Sequence, residues 1–121
     1  MIVNQIEWLS REAQEALLFI SDGQHECAAF SHPCTFDKDY VLLEPILAFS
    51  TKEIMLSQEA KVLIKRRGES LVHDVVGILS GLDPMIISIG NIRIELEDEL
   101  PSGIKQNDIV QFSCGRLDVI R

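Results

Sequence analysis

Apolar and polar residues alternate along much of the chain with a period of two, the pattern that one buried and one wet face impose on a strand. Over residues 2–9, Ile6 and Trp8 fall on the opposite pleat from Gln5 and Glu7, which predicts a first strand. Residues 10–20 fit two patterns. Ser10 would cap a helix that gathers Ala13, Ala16, Leu17 and Ile20 on one face, yet Leu18, Phe19 and Ile20 also suit a strand. Asp22-Gly23 decides for the strand, because Asp-Gly readily takes the two positive φ angles of a tight hairpin turn. A β-hairpin over 14–21 and 24–31 is expected.

Residues 32–40 hold a proline among turn formers and predict a loop that crosses to the next strand. Residues 42–49 are strongly apolar, but Pro45 removes a ladder donor, so an edge strand or a bulge is expected there. Residues 50–60 stay open between two structures. Ser50-Thr51-Lys52-Glu53 has the spacing of a capping box that would start a short helix, and the rival is a continued strand with Ile54 and Leu56 on one face.

From residue 62 the β signal dominates, in 62–64, 71–82, 85–89 and 92–96, with Arg67-Gly68, Asp83-Pro84 and Gly90-Asn91 as short turns. Turns this short imply antiparallel neighbours, since parallel strands need crossovers of about a dozen residues. Asn107-Asp108 introduces a strand over 109–113, and Gly115 is expected to interrupt it before a last strand over 116–120. Eight or nine short strands are too many for one flat sheet of this size, and closure removes exposed edges. The expectation is an all-β chain with at most one short helix, forming a small closed antiparallel barrel of the oligonucleotide/oligosaccharide-binding type. A β-sandwich is the alternative, and residues 1–121 read as one domain.

Composition narrows the function classes. The 121 residues are 46% hydrophobic, enough for one core. Without a run of roughly 18 apolar residues a membrane-spanning helix is not expected, and Asn4, Gln5 and Glu7 break any secretory h-region, which makes the cytoplasm the expected compartment. The net charge of −8 opposes the phosphate neutralisation on which nucleic-acid affinity depends. Lys61, Lys65, Arg66 and Arg67 form the one local basic cluster, a phosphate candidate no larger than a solvated strand and turn often carries. Trp8 and Tyr40 lack basic neighbours in sequence, so a base-stacking platform is disfavoured.

The most suggestive local chemistry is His25-x-Cys27 followed by His32-x-Cys34. Two residues apart on a strand, His25 and Cys27 would share a face, and His32 and Cys34 in the next loop would fold back to complete a tetrahedral zinc site. The spacing matches none of the usual paired zinc patterns, and core packing of Cys27 with hydrogen-bonding roles for the histidines accounts for the same residues. Cys34 with His32 is the sequence-local candidate for an activated thiol. With no export signal, the odd set Cys27, Cys34 and Cys114 reads as buried thiols rather than disulfides. Asp74, beside His73 at the head of an apolar strand, reads as a solubilising charge, and Arg116 with Asp118 as a surface ion pair. No Gly-rich phosphate loop, nucleophile elbow or His-Glu-x-x-His is present.

Phe30-Ser31-His32-Pro33-Cys34, the stretch from Asp108 to Phe112, and Arg116-Leu117-Asp118 together resemble a group of small uncharacterised bacterial proteins over most of the chain. The resemblance implies a bacterial cytosolic protein and no catalytic residue. The leading expectation is a non-enzymatic binding module that engages a protein partner, by a groove or by strand addition at 42–49, or that pairs with its own copy. The alternatives are a zinc- or thiol-dependent site, an acidic inhibitor or immunity-type protein, and an oligonucleotide-binding barrel, which the charge disfavours.

Overall fold

The computed structural model describes residues 1–120 and contains nine strands and no helix among them. They are β1 (Ile2–Ser10), β2 (Glu15–Ser21), β3 (Glu26–Ser31), β4 (Ile46–Leu56), β5 (Leu63–Arg66), β6 (His73–Leu82), β7 (Met85–Ile89), β8 (Ile92–Leu96) and β9 (Ile109–Asp118). No helix is long and apolar enough to cross a membrane.

The sheet runs β1-β2-β3-β9-β4-β8-β7-β6-β5, and a further pairing of β9 with β6 closes β4, β9, β6, β7 and β8 into a five-stranded barrel. The expected small closed barrel is present. It has one parallel seam, where Ile46 and Leu47 of β4 meet Ile94 and Glu95 of β8. The β1–β3 layer stands outside and touches the barrel ladder at one parallel bridge, Phe30 to Asp118. Alternation supplies the interior: Ile87, Ile89, Ile92 and Ile94 are fully buried and join Val75, Leu79, Val110 and Leu117 in a core that continues into Leu18, Ile20 and Ala29 of the outer layer.

In this small barrel β6 packs tightly against β7 at Gly77. A Cβ there would stand 2.5 Å from Ile87 Cγ2 and 3.0 Å from the Ser88 carbonyl oxygen. β6 follows β9 on one edge while its other edge passes from β5 to β7, with a register shift between Leu79 and Gly81.

Four expectations are corrected. The hairpin is present, but Ser21 pairs with Glu26, so residues 22–25 form a longer loop in place of a two-residue turn. The Asp22 carboxylate causes this by accepting the backbone N–H groups of Gln24 and His25. Residues 50–56 extend β4, because β9 offers that backbone a ladder from Leu47 to Leu56 that the capping box cannot match. The polar signal there marks a distortion instead, with positive φ at Ser50 (56°) and Glu53 (60°) and a register shift between Lys52 and Met55. Residues 42–49 are not a simple edge: β4 starts after Pro45, which keeps the missing donor off the ladder, and Leu47 is paired on both sides, with Glu95 of β8 and Asp118 of β9. Gly115 does not interrupt the last strand, since β9 runs unbroken past it.

Replacing Gly77 with alanine is expected to cost about 1–3 kcal/mol through overpacking against Ile87. A chemical denaturation curve reads this as a lower midpoint at unchanged slope.

Candidate functional site

The four His and Cys side chains singled out by spacing go to different environments. His25 lies in the loop before β3, and its Nδ1 is 3.3 Å from Asp22 Oδ2. Cys27 turns into the core, where burial pushes its thiol up to about 12. His32 is exposed and stacks on Phe30 at 6.4 Å between ring centroids. Cys34 is buried, with its backbone N–H donated to the Gln14 carbonyl at 2.7 Å. Among the described residues no group of three or more His, Cys, Asp or Glu side chains is placed to hold a metal ion. The shared face expected for His25 and Cys27 fails because His25 belongs to the loop that Asp22 organises.

The histidine with the most determined environment is His73, at the start of β6 and fully buried. It pairs with Cys114 of β9, and its Nε2 accepts the backbone N–H of Ala28 in β3 at 3.1 Å. That acceptor role leaves the ring proton on Nδ1, which donates to the Leu71 carbonyl at 3.0 Å. The ring therefore bridges the outer layer and the barrel in its neutral form. Burial holds its pKa below the ordinary value of 6.5; Arg66 adds to the lowering, while the Leu71 carbonyl and Asp74 oppose it. Burial likewise raises the Cys114 thiol to about 11, so this interior carries no thiolate at neutral pH.

Other charged groups also act as mortar. Asp22 holds the backbone N–H of Asn91 at 2.9 Å across the molecule, tying the hairpin loop to the β7–β8 turn. Burial works against its ionisation, but the Asn91, Gln24 and His25 amides outweigh that and hold its carboxyl well below the usual range. Gly90 makes the approach possible: a Cβ there would lie 2.5 Å from Asp22 Oδ2. Arg116 and Asp118 form a bidentate pair, as their spacing on β9 predicted, but Asp118 is buried and the guanidinium lies over Phe30 at 4.8 Å and Phe49 at 5.9 Å. In the basic cluster, Arg66 donates to the Ser70 and Glu69 carbonyls and Arg67 makes a bidentate pair with Asp74. Asp74 therefore orients an arginine, beyond the solubilising role expected for it.

A largely apolar surface depression lies elsewhere, on the strap that joins β3 to β4. Backbone hydrogen bonds lace this strap to the outer edge of β1: Val3 N–H to the Tyr40 carbonyl, Asp39 N–H to the Val3 carbonyl, and Leu42 N–H to the Met1 carbonyl. Phe36 turns inward and packs edge-on against Tyr40, at 5.1 Å and 65°. With Leu43, Pro45, Val119 and Ile120 these rings line a groove of 360 Å³ that carries the exposed Glu44. Leu43 is 77% exposed and Ile120 62%, a cost in unburied apolar surface that core packing does not explain. Asp37 and Asp39 precede Tyr40 in sequence on the same strap, and Arg93 donates to the Leu43 carbonyl at the groove. Sequence reading passed over Leu43 and Ile120 because both sit in or beside apolar runs that alternation assigns to core; the signal that marks them is placement next to Pro45 and after the last buried residue, Val119.

Set against known proteins, the chain matches no family model, no curated protein and no solved structure.

The buried imidazole predicts a definite pH response. His73 titrates lower when folded than when unfolded, so the unfolded chain takes up its proton first. Its contribution is complete above pH 6.5 and is lost as the pH falls below that value toward the folded pKa. His73→Gln, which keeps a donor and an acceptor but does not titrate there, is expected to flatten the stability profile between about pH 7 and 5. Urea midpoints across that range, with wild type and variant side by side, check it.

Proposed function

We propose that the chain is a non-enzymatic interaction module whose groove on the 36–45 strap receives a basic segment of a protein partner through one aliphatic or aromatic anchor. The observation that carries this reading is Leu43, largely exposed beside an unfilled 360 Å³ groove on a strap pinned by backbone hydrogen bonds. A rigid groove of this size suits one or two anchor side chains and needs little ordering on binding.

Charge selects the partner. Glu44 lines the groove, Arg93 is drawn in by the Leu43 carbonyl, Asp37 and Asp39 precede Tyr40 on the strap with Lys38 between them, and the whole chain carries −8. Such a surface speeds encounter with a basic partner and repels acidic ones. The same charge weighs against an oligonucleotide occupant. An acidic inhibitor that neutralises a basic protein is a special case of this reading. Strand addition is the weaker route, because the bulged, positive-φ backbone at Ser50 and Glu53 distorts the edge of β4 that β8 leaves uncovered.

The test uses two fluorescent hexapeptides with a central Leu-Phe, one flanked by lysines and one by glutamates. The lysine-flanked peptide is expected to bind, with affinity falling as salt rises, and the glutamate-flanked one to bind far more weakly. Leu43→Ser, at a position whose exposure leaves the core intact, is expected to weaken binding about fivefold or more. Equal binding of both peptides, binding of neither, or indifference to Leu43→Ser overturns the reading.

A further inference from the structure

A second depression, on the outer face of the barrel, has two cations and two hydroxyls over an apolar floor and no carboxylate in its lining. It encloses 140 Å³ where β4 and β9 pass the β5–β6 turn, and Ser50, Lys52, Arg67, Val72, Ser113 and Gly115 border it.

The local backbone builds this arrangement. Lys52 of β4 pairs in register with Ser113 of β9, so both side chains rise from the same face. The positive φ of Ser50 swings the chain toward Gly115, where an added Cβ would lie 3.0 Å from Ser50 Cβ. A side chain at that position would fill the floor. Arg67 is held from behind, since its Nε and Nη2 donate to Asp74 at 2.8 and 2.6 Å. That pairing uses two of the five N–H groups of the guanidinium and fixes the direction of the others. Among the described residues the side chains of Ser50, Lys52 and Ser113 make no hydrogen bond or ion pair.

We propose that this depression binds a phosphate group, with Lys52 and the remaining Arg67 N–H groups as charged donors and the Ser50 and Ser113 hydroxyls as neutral ones. The volume is that of four or five waters at roughly 30 Å³ each, the size of a tetrahedral oxyanion. Asp74 balances much of the Arg67 charge, so Lys52 supplies the uncompensated attraction. A neighbouring depression of 280 Å³ shares Arg67 and Ser113 and carries Glu53, Glu59 and Gln111. With Asp74 engaged by Arg67, Glu53 and Glu59 remain there to suit an ammonium-bearing substituent, which makes an amino-alkyl phosphate monoester the favoured ligand class. This site is separate in sequence and in strand from the strap groove and stands or falls apart from it.

The experiment follows amide and arginine Nε shifts of Ser50, Lys52, Ser113 and Arg67 while inorganic phosphate or phosphoethanolamine replaces chloride at constant ionic strength. Saturable shifts confined to these residues are expected, with phosphoethanolamine the tighter of the two. Lys52→Gln is expected to weaken phosphate binding about tenfold, the loss of one charge-assisted hydrogen bond. Ser113→Val, on the outer face, is expected to weaken it severalfold without altering the rest of the spectrum. Equal affinity for the two probes supports the phosphate pocket and removes the neighbouring depression from it. Absence of saturation below roughly 50 mM phosphate, or binding by both variants as by wild type, overturns the proposal.

Discussion

The structure depends on β9 being used on both edges. One edge carries β4 from Leu47 to Leu56 and the other carries β6 from His73 to Ile78, and this double pairing turns a meander into a closed barrel. The β6–β7–β8 meander assembles through turns of two residues, with short loop closure to oppose it. β9 must instead pair with segments 31 to 71 residues distant in sequence, from Ile78 with Ile109 to Leu47 with Asp118, an entropic cost that its buried row Val110, Phe112, Cys114 and Leu117 has to offset. A polar substitution on that row would expose both partner strands together, so the barrel and the attachment of the outer layer share one weak point.

The outer layer is fastened differently. Its ladder to the barrel is one bridge at Phe30, supplemented by the Val119 N–H on the Phe30 carbonyl. Beyond that point β3 and β9 diverge, and the edge of β3 would be left with unpaired donors in a dry interior. His73 meets one of them at Ala28, and Arg116, locked by Asp118, covers the ring of Phe30 from the other side. Asp22 fastens the far end of the hairpin to Asn91. His73, the Arg116–Asp118 pair and Asp22 thus take the place of a continuous ladder, and this explains why groups with chemical potential lie buried or paired.

Period-two alternation made the strands legible: β1, β2, β3 and β6 to β8 fall within a few residues of where the pattern puts them, and the barrel follows from their number and short turns. What remained hidden depended on long-range partners. Ser50 to Glu53 satisfies a capping box locally, and the competing ladder that makes it strand belongs to residues about 60 positions later. Gly115 reads as a break until Ser50 is seen opposite it. His25, Cys27, His32 and Cys34 are close in sequence, yet hairpin geometry sends Cys27 and Cys34 into the core and His32 to the surface. His73 carried no local sign of its role, because Ala28, its partner, contributes only a backbone N–H and so leaves no trace in side-chain pattern.

The residues left over after these structural duties are the ones available for binding. A side chain that closes a ladder, caps a loop or balances a buried charge cannot also present itself to a ligand without loosening the contact it makes, a cost of about 1–3 kcal/mol for each buried group left unpaired. That condition removes His73, Asp22, Cys27 and Cys114 from contention. It retains Leu43 and Ile120, whose apolar surface is exposed without core benefit, and Lys52, Ser50 and Ser113, whose polar atoms are unengaged beside the positive-φ backbone of Ser50 and Glu53. Strain of this kind costs about 1–3 kcal/mol per residue and persists where the surroundings enforce it. Here β9 enforces it, because the ladder that holds β4 on either side of Ser50 and Glu53 leaves the chain between no relaxed path. The central strand therefore both closes the barrel and sets the shape of the outer-face depression, linking the closure of the fold to a surface open for recognition.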